Sequence, residues 1–189
     1  MPLPGNHVRR AMKNAIRRTV GVQWTIIAVC VLVVAACRSS FQSDAALMSL
    51  FAQHRDEFQT LAKMTNEDIH LIRITPSYTT LDDDNEWPRQ NIGISQKRWA
   101  EYKRLFRRVR TDGITKPLDS PQRIEFPINE AGMAPAGSSK GLVYSSTPLT
   151  PVLPSLDVRP PDRYSDDKGH TRVYRQIEDH WYIYFYLDQ

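Results

Sequence analysis

The chain has 189 residues, 41% of them hydrophobic, and a formal net charge of +4. The charge is uneven: the first 36 residues carry five Lys/Arg and no acidic residue, so the rest holds 20 basic against 21 acidic residues, a net of −1. The basic balance therefore belongs to the N-terminus and gives no ground for nucleic acid as a partner, while the remaining ~150 residues suffice for one domain with a real core.

Arg9, Arg10, Lys13, Arg17 and Arg18 lead into an uncharged, mostly apolar run over 20–36 that ends in Val34-Ala35-Ala36, with Cys37 next. A basic start, an apolar core and small residues before a cut site make a secretory signal peptide. The seventeen residues of the run sit at the lower limit for a bilayer span, which takes about 20. The preceding Lys/Arg keep the N-terminus cytoplasmic and send the downstream chain across the membrane. The junction Val34-Ala35-Ala36-Cys37 resembles the lipobox of bacterial lipoproteins, usually Leu-Ala-Gly/Ala-Cys, with Val34 where Leu is commonest. The resemblance covers the leader alone. It implies a diacylglycerol thioether on Cys37, cleavage before it, and acylation, palmitate-like, of the new amino group. Several acyl chains on one residue exceed the two-signal threshold for stable anchoring. In the enterobacterial pattern an Asp after the cysteine retains lipoproteins in the inner membrane, so Arg38 points to the outer one. The competing reading is an uncleaved inner-membrane signal anchor over 20–36. Both readings place the later residues in the periplasm. Cys30 would leave with the leader, so the exported domain folds without a free thiol or a disulfide.

Residues 37–43 read as a lipidated tether, and 44–189 as a single α+β domain. From Asp44, Leu47, Leu50, Phe51, His54, Phe58, Leu61, Ala62 and Thr65 recur at helical steps, predicting one amphipathic helix of about six turns. His54 lies on its apolar stripe without metal-ligand spacing around it, and reads as a core-edge histidine. A strand is predicted over 69–75, stopped by Pro76, followed by a loop over 77–94. That loop holds Asp82-Asp83-Asp84-Asn85-Glu86. It lacks the central glycine and the final Glu of a calcium loop, so a solvated acidic loop is the better reading.

Ser95 is an N-cap for a second helix over 96–110, with Trp99, Tyr102, Leu105, Phe106 and Val109 inward and Gly113 as the C-terminal cap. Its other faces carry Lys97, Arg98, Lys103, Arg104, Arg107, Arg108 and Arg110. Such a basic face meets anionic lipid or an acidic partner, or is simply solvated. Strands are predicted over 123–129 and 140–146, with Pro127 marking an edge or an end and a flexible loop over 131–139. Five prolines between 148 and 161 make an extended connection. Strands over 171–177 and 180–187, turning at Glu178-Asp179, form a C-terminal hairpin expected at the centre of the sheet. Trp181, Ile183, Phe185 and Leu187 share one face. Tyr182, Tyr184 and Tyr186 share the other, and are candidates for gripping a protein or glycan partner.

The predicted fold is α+β: two main helices on one face of a small, mainly antiparallel sheet of four or five strands. No nucleotide, nucleophile-elbow or metal motif is present, and no cofactor is expected. The class suggested by leader and size is that of small envelope lipoproteins, with no active site to transfer. The primary functional expectation is a non-catalytic binding or immunity-type lipoprotein using Tyr182, Tyr184, Tyr186, Arg104, Arg107 and Arg108. The alternative is an envelope hydrolase drawing on His54, His70, His170, His180 and the 82–86 loop.

Overall fold

A computed structural model describes residues 41–81, 93–118, 120–133, 136–158, 164–166 and 169–188. The acidic 82–86 stretch and the leader with Cys37 lie outside these residues. In chain order come α1 (Asp44–Gln53), α2 (Arg55–Glu67), β1 (Leu71–Ile74), β2 (Thr79–Leu81) and α3 (Gln96–Val109). Then come β3 (Ile114–Thr115), β4 (Arg123–Met133), β5 (Ala136–Ser145), β6 (Thr171–Glu178) and β7 (Trp181–Leu187). The class is α+β. The strands form one antiparallel sheet in the order β2-β1-β3-β4-β5-β7-β6.

The single long helix expected from Asp44 is two helices. The chain breaks at His54 (φ −127°, ψ 28°), whose N–H still donates to the Leu50 and Phe51 carbonyls. Asp56 and Glu57 then occupy the first turn of α2, where carboxylates favour the positive end of the helix dipole. In α3, Ser95 caps the start as expected, its Oγ accepting from the Arg98 N–H. The left-handed cap at the other end is Arg110 (φ 56°), not Gly113. Gly113 serves a close approach instead: an added Cβ would stand 2.5 Å from the Ile74 carbonyl.

The sheet has seven strands instead of four or five. Thr79–Leu81 pairs with β1 in a region expected to be loop, and Ile114–Thr115 joins β1 to β4. The 131–139 stretch is also strand: β4 and β5 stay in register to Gly132↔Gly137 and Met133↔Ala136. Small residues weaken a strand's side-chain signal, but its backbone ladder needs only N–H and C=O groups. Pro127 sits inside the central strand, where the register skips between Pro127 and Asn129. A bulge is one of the few interior places a strand accepts proline. The freed Pro127 carbonyl accepts from Thr111 Oγ1 at 2.7 Å. Gly141 faces Pro127, and a Cβ there would collide with the Phe126 carbonyl. The C-terminal hairpin is not central: β6 closes one end of the sheet. Near its middle that end is engaged by the proline-rich connection, through Leu153 N–H to Tyr174 O (2.7 Å) and Tyr174 N–H to Pro151 O (3.0 Å). This covers backbone that would otherwise recruit another strand.

Leu47, Phe51, Phe58, Leu61, Phe106 and Val109 of the helices share one buried cluster with Ile124, Phe126, Leu142, Trp181 and Ile183 of the strands. Trp181 is its hub, with ring centroids of Phe51, Phe58 and Phe126 at 4.9, 6.0 and 5.6 Å. Arg98, expected on the solvated face, clamps α3 to the end of α2: Nε meets Asp68 at 2.9 Å, and Nη2 meets Glu67 at 2.8 Å and the Met64 carbonyl at 3.1 Å. The Tyr102 hydroxyl donates to the same Asp68 at 2.7 Å.

One charged cluster is buried with these residues. Asp44 is 0% and Lys140 1% exposed. Lys140 Nζ meets Asp44 Oδ1 at 2.8 Å and Asp157 Oδ1 at 3.0 Å. Arg175 Nη1 and the Leu156 N–H reach Asp44 Oδ2 at 2.7 and 2.8 Å. Burial pushes the Asp44 carboxyl up, but the bonds from Lys140, Leu156 and Arg175 outweigh it and bring it from the ordinary 3.8 to about 2. A depressed carboxyl stabilises the fold above its unfolded value and loses that contribution as pH falls through the folded one. Unfolding by urea should therefore show about 2 kcal/mol of stability disappearing between about pH 4 and about pH 2. Asp44→Ala takes one of two carboxylates from the buried Lys140 and leaves Asp157 as its partner; it should cost about 3 kcal/mol at neutral pH and should flatten that acid limb, and an unchanged limb would mean another carboxylate carries it.

Candidate functional site

Tyr182 and Tyr184 do not lie on an open face. They are 5% and 2% exposed and form a second buried cluster with Val143 and Tyr174, against which Leu149 and Tyr186 pack. Period two correctly separates the tyrosines from the Trp181 face; it does not say that a second set of side chains covers them. Tyr184 stands opposite Gly141 and Tyr174 in the ladder. Its hydroxyl pairs with Ser139 Oγ at 2.8 Å. Burial holds the Tyr184 phenol well above the usual tyrosine range. Tyr186 alone is half-buried, with the Arg172 guanidinium 4.7 Å from its ring centroid.

Arg104, Arg107 and Arg108 are exposed on α3. Arg108 reaches Glu57 at 3.0 Å. Among the described residues, Arg104 and Arg107 have no ion-pair partner. The histidines are dispersed. His70 is exposed, and His54 lies 3.9 Å from Glu57. His170 sits between Asp166 (3.3 Å) and Asp188 (3.1 Å). Among the described residues, no group of three or more His, Cys, Asp or Glu could hold a metal ion, and no helix is long and apolar enough to cross a membrane.

The concave site lies elsewhere, in a cleft of about 800 Å³ between α2 and the β6–β7 turn. One wall is the helical stripe Arg55, Gln59, Lys63 and Asn66, at the steps that bring residues to one face. The other is Glu178 at the end of β6 with Asp179-His180 of the turn, and half-buried Tyr144 lies between the walls beside the buried Trp181 and Ala62. The turn residues are Asp179 and His180 instead of Glu178 and Asp179, since Glu178 already pairs with Trp181. His180 takes the left-handed conformation (φ 67°), which histidine enters more readily than most residues. Two contacts fix it: the Ser145 N–H donates to the His180 carbonyl at 2.9 Å, and His180 Nδ1 lies 3.0 Å from the Ser145 carbonyl. A carbonyl only accepts, so Nδ1 carries the hydrogen and Nε2 is left for a ligand. Tyr144 packs between His180 and Trp181, with centroids at 6.0 and 5.4 Å.

The cleft's charges are largely spoken for. Arg55 Nη2 binds Glu178 at 2.7 Å across it, and Glu67 at its end binds Arg98 at 2.8 Å. Among the described residues, no carboxylate pairs with His180. Sequence reading named His180 but missed the cleft. The available signal was the polar run Arg55/Gln59/Lys63/Asn66 at helical spacing; what it would face was set by the β6–β7 turn, 112 or more residues further along. No protein-family model matches this chain, and neither does any curated protein or solved structure.

The burial of Tyr184 makes a direct forecast. Tyr184→Ala should cost about 3–5 kcal/mol in denaturant unfolding, as large core truncations do. Tyr184→Phe, losing only the Ser139 bond, should cost about 1 kcal/mol. A Tyr184→Ala protein as stable as the parent would show that the second cluster carries no weight.

Proposed function

We propose that the chain is a lipid-anchored envelope protein, held by acylation of Cys37 with its domain in the periplasm, acting as a non-catalytic binding protein of accessory or immunity type. The observation that carries the binding part is the α2–β7 cleft. It is concave, mixed in polarity and built on rigid elements, as ligand sites usually are. Its strongest charges neutralise each other instead of flanking His180. General acid–base work usually draws on a second titratable group beside the first; among the described residues no carboxylate pairs with His180, so its Nε2 is read as a hydrogen-bonding group for a ligand. Arg104 and Arg107, exposed and without an ion-pair partner among the described residues, give α3 a second, electrostatic surface that suits a protein partner or the anionic membrane nearby. In this reading the helices form one layer on the Trp181 side of the sheet, supported by the ring contacts of Phe51 and Phe58.

The anchoring part rests on the Ala35-Ala36-Cys37 junction behind a basic and then apolar leader. The test is metabolic labelling with palmitate followed by membrane fractionation. Wild-type chain should carry label and sediment with membranes, and Cys37→Ser should lose the label entirely. Equal label in both would remove Cys37 as the attachment site; equal sedimentation of an unlabelled, full-length mutant would identify the 20–36 run as an uncleaved anchor.

A further inference from the structure

We propose that the ligand of the α2–β7 cleft is a neutral glycan, bound with a sugar C–H face toward Tyr144 and hydroxyl or acetamido groups toward Gln59, Asn66 and His180. This rests on the reading of the cleft as a binding site and goes beyond it by naming the chemical class.

Charge is the first argument. Arg55 pairs with Glu178, Arg98 serves both Glu67 and Asp68, and Lys63 and Asp179 stand outside these pairs, so three cations face four carboxylates, a net of one negative charge. A cleft within one charge of balance offers polyanions no attraction and polycations only a weak steering field. It also spares a neutral ligand the desolvation of an unmatched ion.

The second argument is the remaining polar chemistry. Gln59 and Asn66 are exposed amides lining the same wall. Each offers two donors and an accepting oxygen, the set that vicinal hydroxyls and acetamido groups use. His180 Nε2 stands across from them as an acceptor when the ring is neutral, since Nδ1 is committed to Ser145.

The third argument is shape. Tyr144 is half-buried, held edge-on by Trp181, and presents an aromatic body with a polar tip to the cleft. Sugar rings have an apolar C–H face and a polar rim that match such a floor and such walls. The volume of about 800 Å³ lies within the range for ligand sites, roughly 300–1,000 Å³, and accommodates a short oligosaccharide. A peptide bound in extended form would want an unpaired strand edge. The cleft is walled by helix side chains and a tight turn, and the β6 edge is engaged at Tyr174 by the proline-rich segment.

The experiment uses the full chain in detergent and ligand-observed saturation-transfer NMR. The probes are the β-1,4-linked tetramer of N-acetylglucosamine and, separately, an uncharged alanine tetrapeptide. Transfer to the tetramer's acetyl and ring protons is expected, with the titrated affinity falling at least fivefold in Gln59→Ala/Asn66→Ala. Both side chains are solvent-exposed, so the double variant should fold. Gln53→Ala, exposed on α1 and outside the cleft lining, should leave the affinity unchanged, and so should Cys37→Ser, which separates ligand binding from anchoring. Transfer to the tetrapeptide alone, lost in the double variant, would overturn the glycan assignment while leaving the cleft as a binding site. Transfer to neither probe would overturn both. Tetramer binding insensitive to Gln59 and Asn66 would place the sugar outside the cleft and also defeat the proposal.

Discussion

The ammonium of Lys140 and the carboxylate of Asp44, 2.8 Å apart and both closed off from water, are the contact on which the rest of this structure is hung. Asp44 is the first residue of α1, Lys140 belongs to β5, Arg175 to β6, and Leu156 to the proline-rich connection. Four segments distant in sequence thus converge on one carboxylate. Each charge on its own would be costly to bury; together, with the Leu156 N–H and the Leu156 carbonyl completing the set, they satisfy one another. Such a cluster adds less net stability than an apolar substitute of the same shape can. It does penalise any arrangement that separates its members, so it fixes where α1 and the connection sit against the strands.

The sheet is used on both faces, which has consequences for where function can reside. On one face Trp181 gathers Phe51, Phe58 and Phe126 into the main cluster. On the other, Tyr174, Tyr182 and Tyr184 close over Val143. Arg123, Glu125 and Arg172 lie on that same face, with Arg172 Nη1 3.2 Å from Glu125 and Arg123 Nη1 3.0 Å from the Tyr174 hydroxyl. Tyrosine suits such a layer because its ring packs while its hydroxyl finds a partner. A face committed in this way has little left for a ligand, and the concave surface moves to the end of the sheet, where the β6–β7 turn stands off from α2.

The cleft owes its form to two local features. The break at His54 starts α2 afresh, with Arg55 as its first residue and its carboxylate partner, Glu178, at the end of β6. The left-handed His180 and its double contact with Ser145 hold the opposite wall. Neither feature is explained by the core alone, and both place polar side chains around the edge of Tyr144.

The sequence by itself determined the α+β class, the inward set Tyr102, Leu105, Phe106 and Val109 of α3, the Ser95 cap, and the alternation of Trp181 to Leu187 across two faces. Each is a matter of local periodicity or of one side chain bonding its own backbone, and such terms are complete within a few residues. It also identified Tyr182, Tyr184 and Tyr186 as one row, and His180 as a residue worth attention. Tertiary structure decided what local terms do not contain. The strands Thr79–Leu81 and Ile114–Thr115 exist because neighbours accept their hydrogen bonds, not because their side chains demand it. Pro127 is admitted to a central strand because Gly141 and Thr111 accommodate the bulge. Asp44, read as a helix start, is a buried ion because Lys140 and Arg175 arrive from 96 and 131 positions away. The cleft depends on such meetings throughout: its walls are separated by more than a hundred residues of chain, and only the assembled sheet sets the distance between them.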